Sequence, residues 1–122
     1  MTALLVALGG ALGTLMRYGA NVMFGSSGFP YATFAVNALG SCALALLSQV
    51  LAGRTLWGVP LGLIVGTGVL GGFTTYSSFN LETFRMLQQG QTPLALFYAG
   101  LTFVTCLALG AAGWALGARM MR

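Results

Sequence analysis

Apolar residues dominate four long segments of the chain, and short clusters of polar residues, Gly and Pro separate them. The segments cover residues 3–24, 31–51, 57–86 and 94–118. A helix crosses the hydrocarbon core of a bilayer with about 20 mainly apolar residues, so each segment is long enough to span it. The intervening clusters are too short to hold a soluble domain. The pattern therefore predicts one all-α integral membrane domain over residues 1–122, with four transmembrane helices.

The third apolar segment is too long for one straight span, and a run of polar residues interrupts it. Residues 71–79 read Gly-Gly-Phe-Thr-Thr-Tyr-Ser-Ser-Phe. Non-helical backbone at bilayer depth is tolerated only where protein buries it or an aqueous cavity solvates it. Interrupted helices expose backbone groups and helix ends that bind ions and substrates. We therefore expect the third helix to break in mid-membrane within 71–78, at a pore or transport site.

Glycine is abundant, with 19 residues, and much of it recurs at a spacing of four. The pairs are Gly9/Gly13, Gly62/Gly66, Gly68/Gly72 and Gly113/Gly117. Small residues at this spacing let helix backbones approach closely in lipid, so the pairs predict tight helix packing. Because only four helices leave little protein to enclose a pore, we expect an oligomer, most simply a homodimer.

Composition supports a membrane protein and excludes most soluble chemistry. Hydrophobic residues make up 57% of the chain and charged residues only 5%, against about 25% in soluble domains. The chain has no His and a single acid, Glu82, so it holds no Ser-His-Asp triad and no carboxylate pair, and we expect no enzyme. The five arginines form no cluster, which argues against nucleic-acid binding. Cys42 and Cys106 lie inside apolar segments and are interpreted as small hydrophobes.

The arginines give little preference for one orientation in the membrane. With four spans, the side that carries both termini holds Arg54, Arg119 and Arg122. The other side holds Arg17 and Arg85. Asymmetry in Lys and Arg normally sets the orientation, so a difference of one residue is compatible with insertion in both directions.

Polar residues within the spans offer mainly hydrogen-bond donors. Thr33, Asn37 and Ser41 share one face of the second helix, and Tyr98, Thr102 and Thr105 form a similar stripe on the fourth. Interhelical hydrogen bonds would account for the hydroxyls. The amide of Asn37 is costly to leave unpaired within a span, and its NH2 supplies two donors.

The lining predicted from these residues favours a small anion. Only Glu82 is acidic, and Arg85 lies one helical turn away, where we expect it to pair with Glu82. Phe73, Tyr76 and Phe79 recur every three residues, either as a packing face or with their positive ring edges lining a narrow path.

Three stretches of the sequence resemble the Fluc (CrcB-like) family of small fluoride channels. They are residues 9–18 (Gly-Gly-Ala-Leu-Gly-Thr-Leu-Met-Arg-Tyr), residues 35–41 (Ala-Val-Asn-Ala-Leu-Gly-Ser), and residues 71–79 followed by Glu82. The resemblance covers essentially the whole chain. It implies a multi-pass protein of the bacterial inner membrane that assembles as an antiparallel, dual-topology homodimer. Two passive fluoride paths per dimer, each built from both subunits, would then export the ion.

The same resemblance assigns roles to individual residues. The implied fluoride pore consists of Asn37, Tyr76, Phe79, Thr75, Ser77, Ser78, Tyr98 and Thr102. Arg17 would lie at the vestibule and Glu82 would be the pore-adjacent acid. Backbone carbonyls of Gly71 and Thr74 would hold a structural sodium ion on the dimer axis.

Two positions depart from the pattern of the family. Tyr76 stands where Phe is usual, and its hydroxyl adds a donor and an acceptor to a site lined by ring edges. Cys106 is the nearest counterpart of a serine on the last helix, and its weak S–H donor makes that end less polar.

The sequence is also compatible with two other functions. A proton-coupled small multidrug exporter shares the length and the four spans, but it needs a membrane-embedded carboxylate, and only Glu82 could supply one. A membrane assembly protein without transport activity would explain the glycines, but it leaves Asn37 and the polar break without a reason.

Overall fold

The computed structural model describes all 122 residues, and most of them are helical. The elements in chain order are α1 (Thr2–Phe24), α2 (Tyr31–Val50), β1 (Thr55–Leu56), β2 (Val59–Pro60), a π-helix (Leu63–Leu70), α3 (Gly71–Phe73), α4 (Tyr76–Gln88) and α5 (Thr92–Met120). Three helices, α1, α2 and α5, are long and apolar enough to cross a membrane. The first, second and last predicted spans are therefore confirmed as helices, with bounds close to the expected ones.

The predicted break in the third segment is confirmed and is shorter than expected. Only Thr74 and Thr75 leave the helical conformation, with φ/ψ of −82°/157° and −154°/114°. The helix resumes at Tyr76 because the Thr75 side chain accepts a hydrogen bond from the backbone N–H of Ser78 and so caps α4. The segment before the break is a π-helix, a rare form that is frequent at functional sites.

The prediction that the third helix begins near Trp57 is wrong, because residues 55–60 form a β-hairpin. Thr55 pairs with Pro60 and Leu56 with Val59, around a turn at Trp57 and Gly58. The φ angles of these two residues are 50° and 79°, and a two-residue hairpin turn with both φ values positive matches strand twist. For a residue with a Cβ this conformation costs roughly 1–2 kcal/mol. Residues 57–60, which the apolar pattern assigned to the third helix, belong to the hairpin instead, and the π-helix begins at Leu63.

Glycines allow the helix backbones to touch at two interfaces, as the spacing predicted. At the first, α1 packs on the π-helix and α3: a Cβ added to Gly9 would lie 2.9 Å from the Ile64 carbonyl oxygen, and one on Gly13 would overlap the Val69 carbonyl. At the second, α2 packs on α5, and a Cβ on Gly113 would overlap the Cys42 carbonyl. Gly62 is an exception to the prediction, since nothing lies within 4 Å of its Cβ position.

Most of the surface of the chain is apolar and open. Only 17 of the 122 residues are buried, and large apolar side chains, leucine above all, are exposed along every long helix. In water such a surface would be an aggregation hazard, so its extent requires lipid or another protein surface as its surroundings.

The α1 interface gives a first prediction, which concerns stability. Gly13→Ala should lower the free energy of unfolding by about 1–3 kcal/mol, because its methyl group must push α1 away from the Val69 backbone. Thermal unfolding of the purified protein in detergent, followed by circular dichroism, measures the effect.

The matched control is Gly10→Ala on the same helix. Its Cβ would lie 3.9 Å from the Gly68 carbonyl oxygen, which is ordinary contact, so this variant should be as stable as the original protein or more stable. Equal unfolding temperatures for the two variants would show that the close approach at Gly13 does not limit stability.

Candidate functional site

The side chain of Asn37 on α2 holds the helix break in place. Its amide nitrogen donates to the Thr75 carbonyl oxygen at 2.9 Å, and its Oδ1 accepts from the Thr75 backbone N–H at 2.8 Å. One primary amide thus replaces the hydrogen bonds that the interrupted helix would have supplied to this residue. Because an NH2 group has two hydrogens, a second donor remains on Asn37.

Hydroxyl groups on both sides of the break are used in local hydrogen bonds. Thr75 Oγ1 donates to Ser78 Oγ at 3.0 Å and lies 3.4 Å from Ser77 Oγ. Thr74 Oγ1 donates backward to the Leu70 carbonyl oxygen at 2.9 Å. The predicted pore residues Thr75, Ser77 and Ser78 therefore form one capping cluster at the start of α4.

A cavity of about 650 Å³ opens beside the break, between α2, α4 and α5. Its polar lining comprises Asn37, Ser41, Thr74, Thr75 and Thr102, and its apolar and aromatic lining includes Tyr76, Phe79, Phe103 and Cys106. The break, the predicted amide and Thr102 of the predicted stripe on the last helix therefore meet in one place, whereas Tyr98 and Thr105 of that stripe are not part of the lining. The wall contains no charged side chain.

Two residues of the cavity wall, Ser41 and Gly40, were not among the pore residues implied by the family resemblance. Ser41 Oγ donates to the Asn37 carbonyl oxygen at 2.7 Å, which its spacing of four residues from Asn37 could have indicated. A Cβ added to Gly40 would overlap the Thr74 methyl group, so this glycine lets the break approach α2. Gly40 belongs to the stretch 35–41 that carries the family resemblance, but its contact with Thr74 joins distant segments and could not be predicted from sequence spacing.

Aromatic rings extend from the cavity into the bundle. Tyr76 and Phe79 have ring centroids 5.7 Å apart, and Phe79 and Tyr98 have centroids 5.1 Å apart, with planes inclined at 47° and 57°. Tyr76 is 74% exposed, while Tyr98 is fully buried. Phe79 thus connects a ring at the open face to a ring in the core.

The predicted ion pair between Glu82 and Arg85 is wrong. The Glu82 carboxylate oxygens accept from Thr33 Oγ1 at 2.6 Å and from the Tyr98 hydroxyl at 2.7 Å. These lengths are typical of strong hydrogen bonds to a carboxylate. Arg85 is exposed on another face of α4, so the hydroxyls of α2 and α5 reach the acid instead. Thr33 joins the site as a residue that sequence analysis placed only on a polar stripe.

Thr102 on α5 carries a buried hydroxyl with no partner in the chain. The residue is 7% exposed, and its Oγ1 makes no hydrogen bond although it lines the cavity. A buried hydroxyl without a partner costs about 1–3 kcal/mol, so this atom favours a polar occupant beside it.

The remaining predicted residues do not line the cavity. Arg17 is half-buried on α1 and is not part of the lining. Gly71 is exposed one turn before the break and does not line the cavity. The other predicted residues outside the lining are Ser77, Ser78, Glu82 and Tyr98.

Backbone carbonyls at the break meet the chemical requirement for a hard cation such as sodium. The Thr75 N–H, which would bond the Gly71 carbonyl in a continuous helix, donates to Asn37 instead. The Ser78 N–H, which would bond the Thr74 carbonyl, donates to Thr75 Oγ1. Both carbonyls thereby lose their helical donors, and unwound carbonyls of this kind coordinate sodium in transporters.

Together, the apolar helices, the broken segment and the cavity with its few polar groups define an integral membrane protein of the channel or transporter class. A family model described as CrcB-like protein, Camphor Resistance (CrcB), matches residues 4–114. The chain therefore belongs to the CrcB-like family.

Three relatives with similar sequences are each named fluoride-specific ion channel FluC. The relative from Sorangium cellulosum (strain So ce56) is 42% identical over 120 residues, covering 95% of this chain and 94% of that protein. A relative from Thermus thermophilus is 44% identical over 121 residues, covering 97% of this chain and 96% of that protein. The relative from Paracoccus denitrificans (strain Pd 1222) is 44% identical over 118 residues, covering 95% and 94%.

The capping cluster gives a second stability prediction. Thr75→Val keeps the shape of the side chain and removes the oxygen that accepts from the Ser78 N–H, so it should cost about 1–2 kcal/mol of unfolding free energy. Thr75→Ser retains a hydroxyl and should cost less. Chemical or thermal unfolding in detergent compares the two, and a Val variant as stable as the Ser variant would rule out the cap as a source of stability.

Proposed function

We propose that this chain forms a fluoride-selective channel that exports cytoplasmic fluoride passively, and that it is not an enzyme. The observation that carries the proposal is the Asn37 amide, which braces a helix break beside a charge-free, largely apolar cavity that contains a few polar groups. The name shared by relatives at 42–44% identity supports fluoride as the ion.

The chemistry of the cavity suits a small anion. Asn37 keeps one N–H free of the break, and the Thr102 hydroxyl has no other partner. The edges of the Tyr76 and Phe79 rings carry positive partial charge and add weak attraction. The proposed role of Asn37 and Thr102 is to donate hydrogen bonds to fluoride, and that of the two rings is to contact the ion with their edges. The polar path is completed by Thr75, Ser77, Ser78 and Tyr98. A few donors suffice for a small ion because it approaches each of them closely.

The proposed assembly is an antiparallel homodimer with two pores. The cavity opens at the surface of the chain, and Tyr76 at its mouth is 74% exposed, so a second copy would complete the wall. The near balance of arginines on the two sides supports insertion in both orientations. In this arrangement the π-helix, α3 and α4 together form a fourth, broken span, and Arg17 draws anions to a vestibule.

The second proposed component is a structural sodium ion held by the Gly71 and Thr74 carbonyls of both copies. Its support is the loss of helical donors at those two oxygens. Bound there, the cation would compensate the carbonyl dipoles where the two breaks meet.

The proposed location is the inner membrane of a bacterium, where a channel is sufficient for export. Hydrogen fluoride enters a cell from acid surroundings as a neutral molecule and ionises in the cytoplasm. A negative interior drives the anion outward with about 2.3 kcal/mol per charge per 100 mV.

The exporter alternative requires a carboxylate that exchanges protons with a drug. Glu82 is the only acid in the chain, and hydroxyls from α2 and α5 occupy both of its oxygens. This pairing disfavours an exchange site at Glu82. A purely structural role leaves the donor-lined cavity unexplained.

Passive efflux from liposomes tests the proposed function directly. Vesicles that contain the purified protein should release fluoride rapidly, read by a fluoride electrode, and should release little chloride. No proton gradient should be needed. Fluoride release that depended on a proton gradient, or no release from a folded protein, would overturn the channel proposal.

Asn37→Asp tests the site within the same assay. The repulsion between a carboxylate and an anion about 4 Å away is about 4 kcal/mol at an effective dielectric constant of about 20. The flux of fluoride should therefore fall by about a thousandfold. The variant also loses the donor to the Thr75 carbonyl, so unfolding and size-exclusion profiles must accompany the flux.

The matched control is Gln91→Glu, the same change from an amide to an acid at an exposed residue between α4 and α5 that has no role in the proposed site. It should leave the flux within about twofold of the original protein, because the new charge is exposed and screened. A similar loss in both variants would assign the effect to charge in general and would remove Asn37 from the pore.

A further inference from the structure

The hairpin between α2 and the π-helix is rigid and attached to the bundle. Besides the pairing of its two strands, the Leu61 N–H donates to the Arg54 carbonyl oxygen at 2.9 Å. Val59 is 4% exposed and so ties one strand to the protein interior. The opposite face and the tip are open: Arg54, Leu56 and Trp57 are all exposed.

Trp57 occupies a backbone position that disfavours it. Its φ of 50° is the only positive value at a non-glycine residue in the chain. Asn or Gly would satisfy the turn with less strain. The indole is 71% exposed, so packing within the chain does not repay the strain. Strain that the fold does not need indicates a function for the side chain that causes it.

We propose that residues 54–61 form a lipid anchor in which the Trp57 indole lies at the headgroup level of the bilayer. An indole combines a large apolar ring with one N–H donor, which suits the boundary between acyl chains and headgroups. Arg54 stands at the base of the hairpin, and its guanidinium can bond a lipid phosphate with two N–H groups. Helix α2, one of the three apolar helices, ends at Val50, four residues before the hairpin, so the hairpin lies near the membrane surface.

An anchored hairpin would set the depth of the broken segment in the membrane. The π-helix begins at Leu63, two residues after the hairpin closes. A rigid anchor at the headgroups therefore fixes the depth of the π-helix and, through α3, the depth of the break. This proposal rests on the hairpin alone and does not depend on which ion the cavity carries.

Tryptophan fluorescence in vesicles tests the anchor. Trp114→Phe leaves Trp57 as the sole tryptophan in the full chain, reconstituted in phosphatidylcholine and phosphatidylglycerol. Bromine atoms on the upper acyl carbons should quench it at least about twofold more strongly than bromine atoms near the chain ends. Iodide in the water should quench it weakly. Strong quenching by iodide with no effect of either brominated lipid would overturn the proposal and place the hairpin in water.

A reporter in mid-membrane provides the depth control. Val104→Trp, in a protein in which Trp57→Asn and Trp114→Phe remove both native tryptophans, puts an indole at an exposed position near the middle of α5. Its quenching should show the reverse order, with the deeper bromine atoms more effective. The same order as for Trp57 would show that the assay does not resolve depth, and Trp57 would then be located by spin-label distances to the headgroups.

Trp57→Asn separates anchoring from a structural role. Asn followed by Gly58 is the favoured pair for this turn, so the unfolding temperature in detergent should stay the same or rise. In vesicles, a spin label on the hairpin should move toward the water when the indole is absent. A lower unfolding temperature in detergent would mean that the indole serves the fold, and the proposal would fail.

Discussion

The need to satisfy the backbone of two residues in an apolar environment governs this structure. Thr74 and Thr75 leave the helix, and each polar group that they expose needs a partner from the protein or from the contents of a cavity. The Asn37 amide supplies both partners for Thr75 at 2.8 and 2.9 Å. Asn37 also lines the cavity, so the side chain that stabilises the break is also available to a ligand in the cavity. Stability and site chemistry are therefore properties of one side chain.

Close packing of glycines makes the break compatible with a small bundle. Gly9 and Gly13 bring the α1 backbone against the π-helix, and Gly40 admits the methyl group of Thr74 beside α2. Wider turns in the π-helix shift the chain relative to a regular α-helix just before the break. A larger residue at Gly40 would separate α2 from the broken segment and lengthen the bonds of Asn37, and larger residues at Gly9 and Gly13 would push the broken segment away from α1. Close packing at these glycines therefore helps to hold Asn37 within hydrogen-bond distance of Thr75.

Much of the architecture could be predicted from local sequence, and the rest depends on contacts between distant segments. Apolar length and the polar run at 71–79 predicted the helices and the break, since membrane spans and backbone satisfaction leave few alternatives. The hairpin escaped prediction because the residues at 57–60 (Trp-Gly-Val-Pro) are apolar enough to extend a helix, and apolar content alone does not show the turn. The partners of Glu82 escaped because sequence spacing showed Arg85 as a near neighbour, whereas packing brought Thr33 and Tyr98 from other helices.

The pairing of Glu82 with hydroxyls rather than with arginine has a consequence for an anion in this protein. A carboxylate with an arginine partner would be largely neutralised, and its neighbours would keep their donors for the ion. Here the acid itself holds the hydroxyls of Thr33 and Tyr98, so an anion that reached Tyr98 would compete with Glu82 for the same donor. Its charge would also repel the anion at that point. Conduction requires sites that bind an ion well enough to admit it and weakly enough to release it. The unpaired Thr102 hydroxyl and the free Asn37 N–H would bind the ion well enough to admit it. The donors that Glu82 already holds would bind the ion weakly and so allow its release.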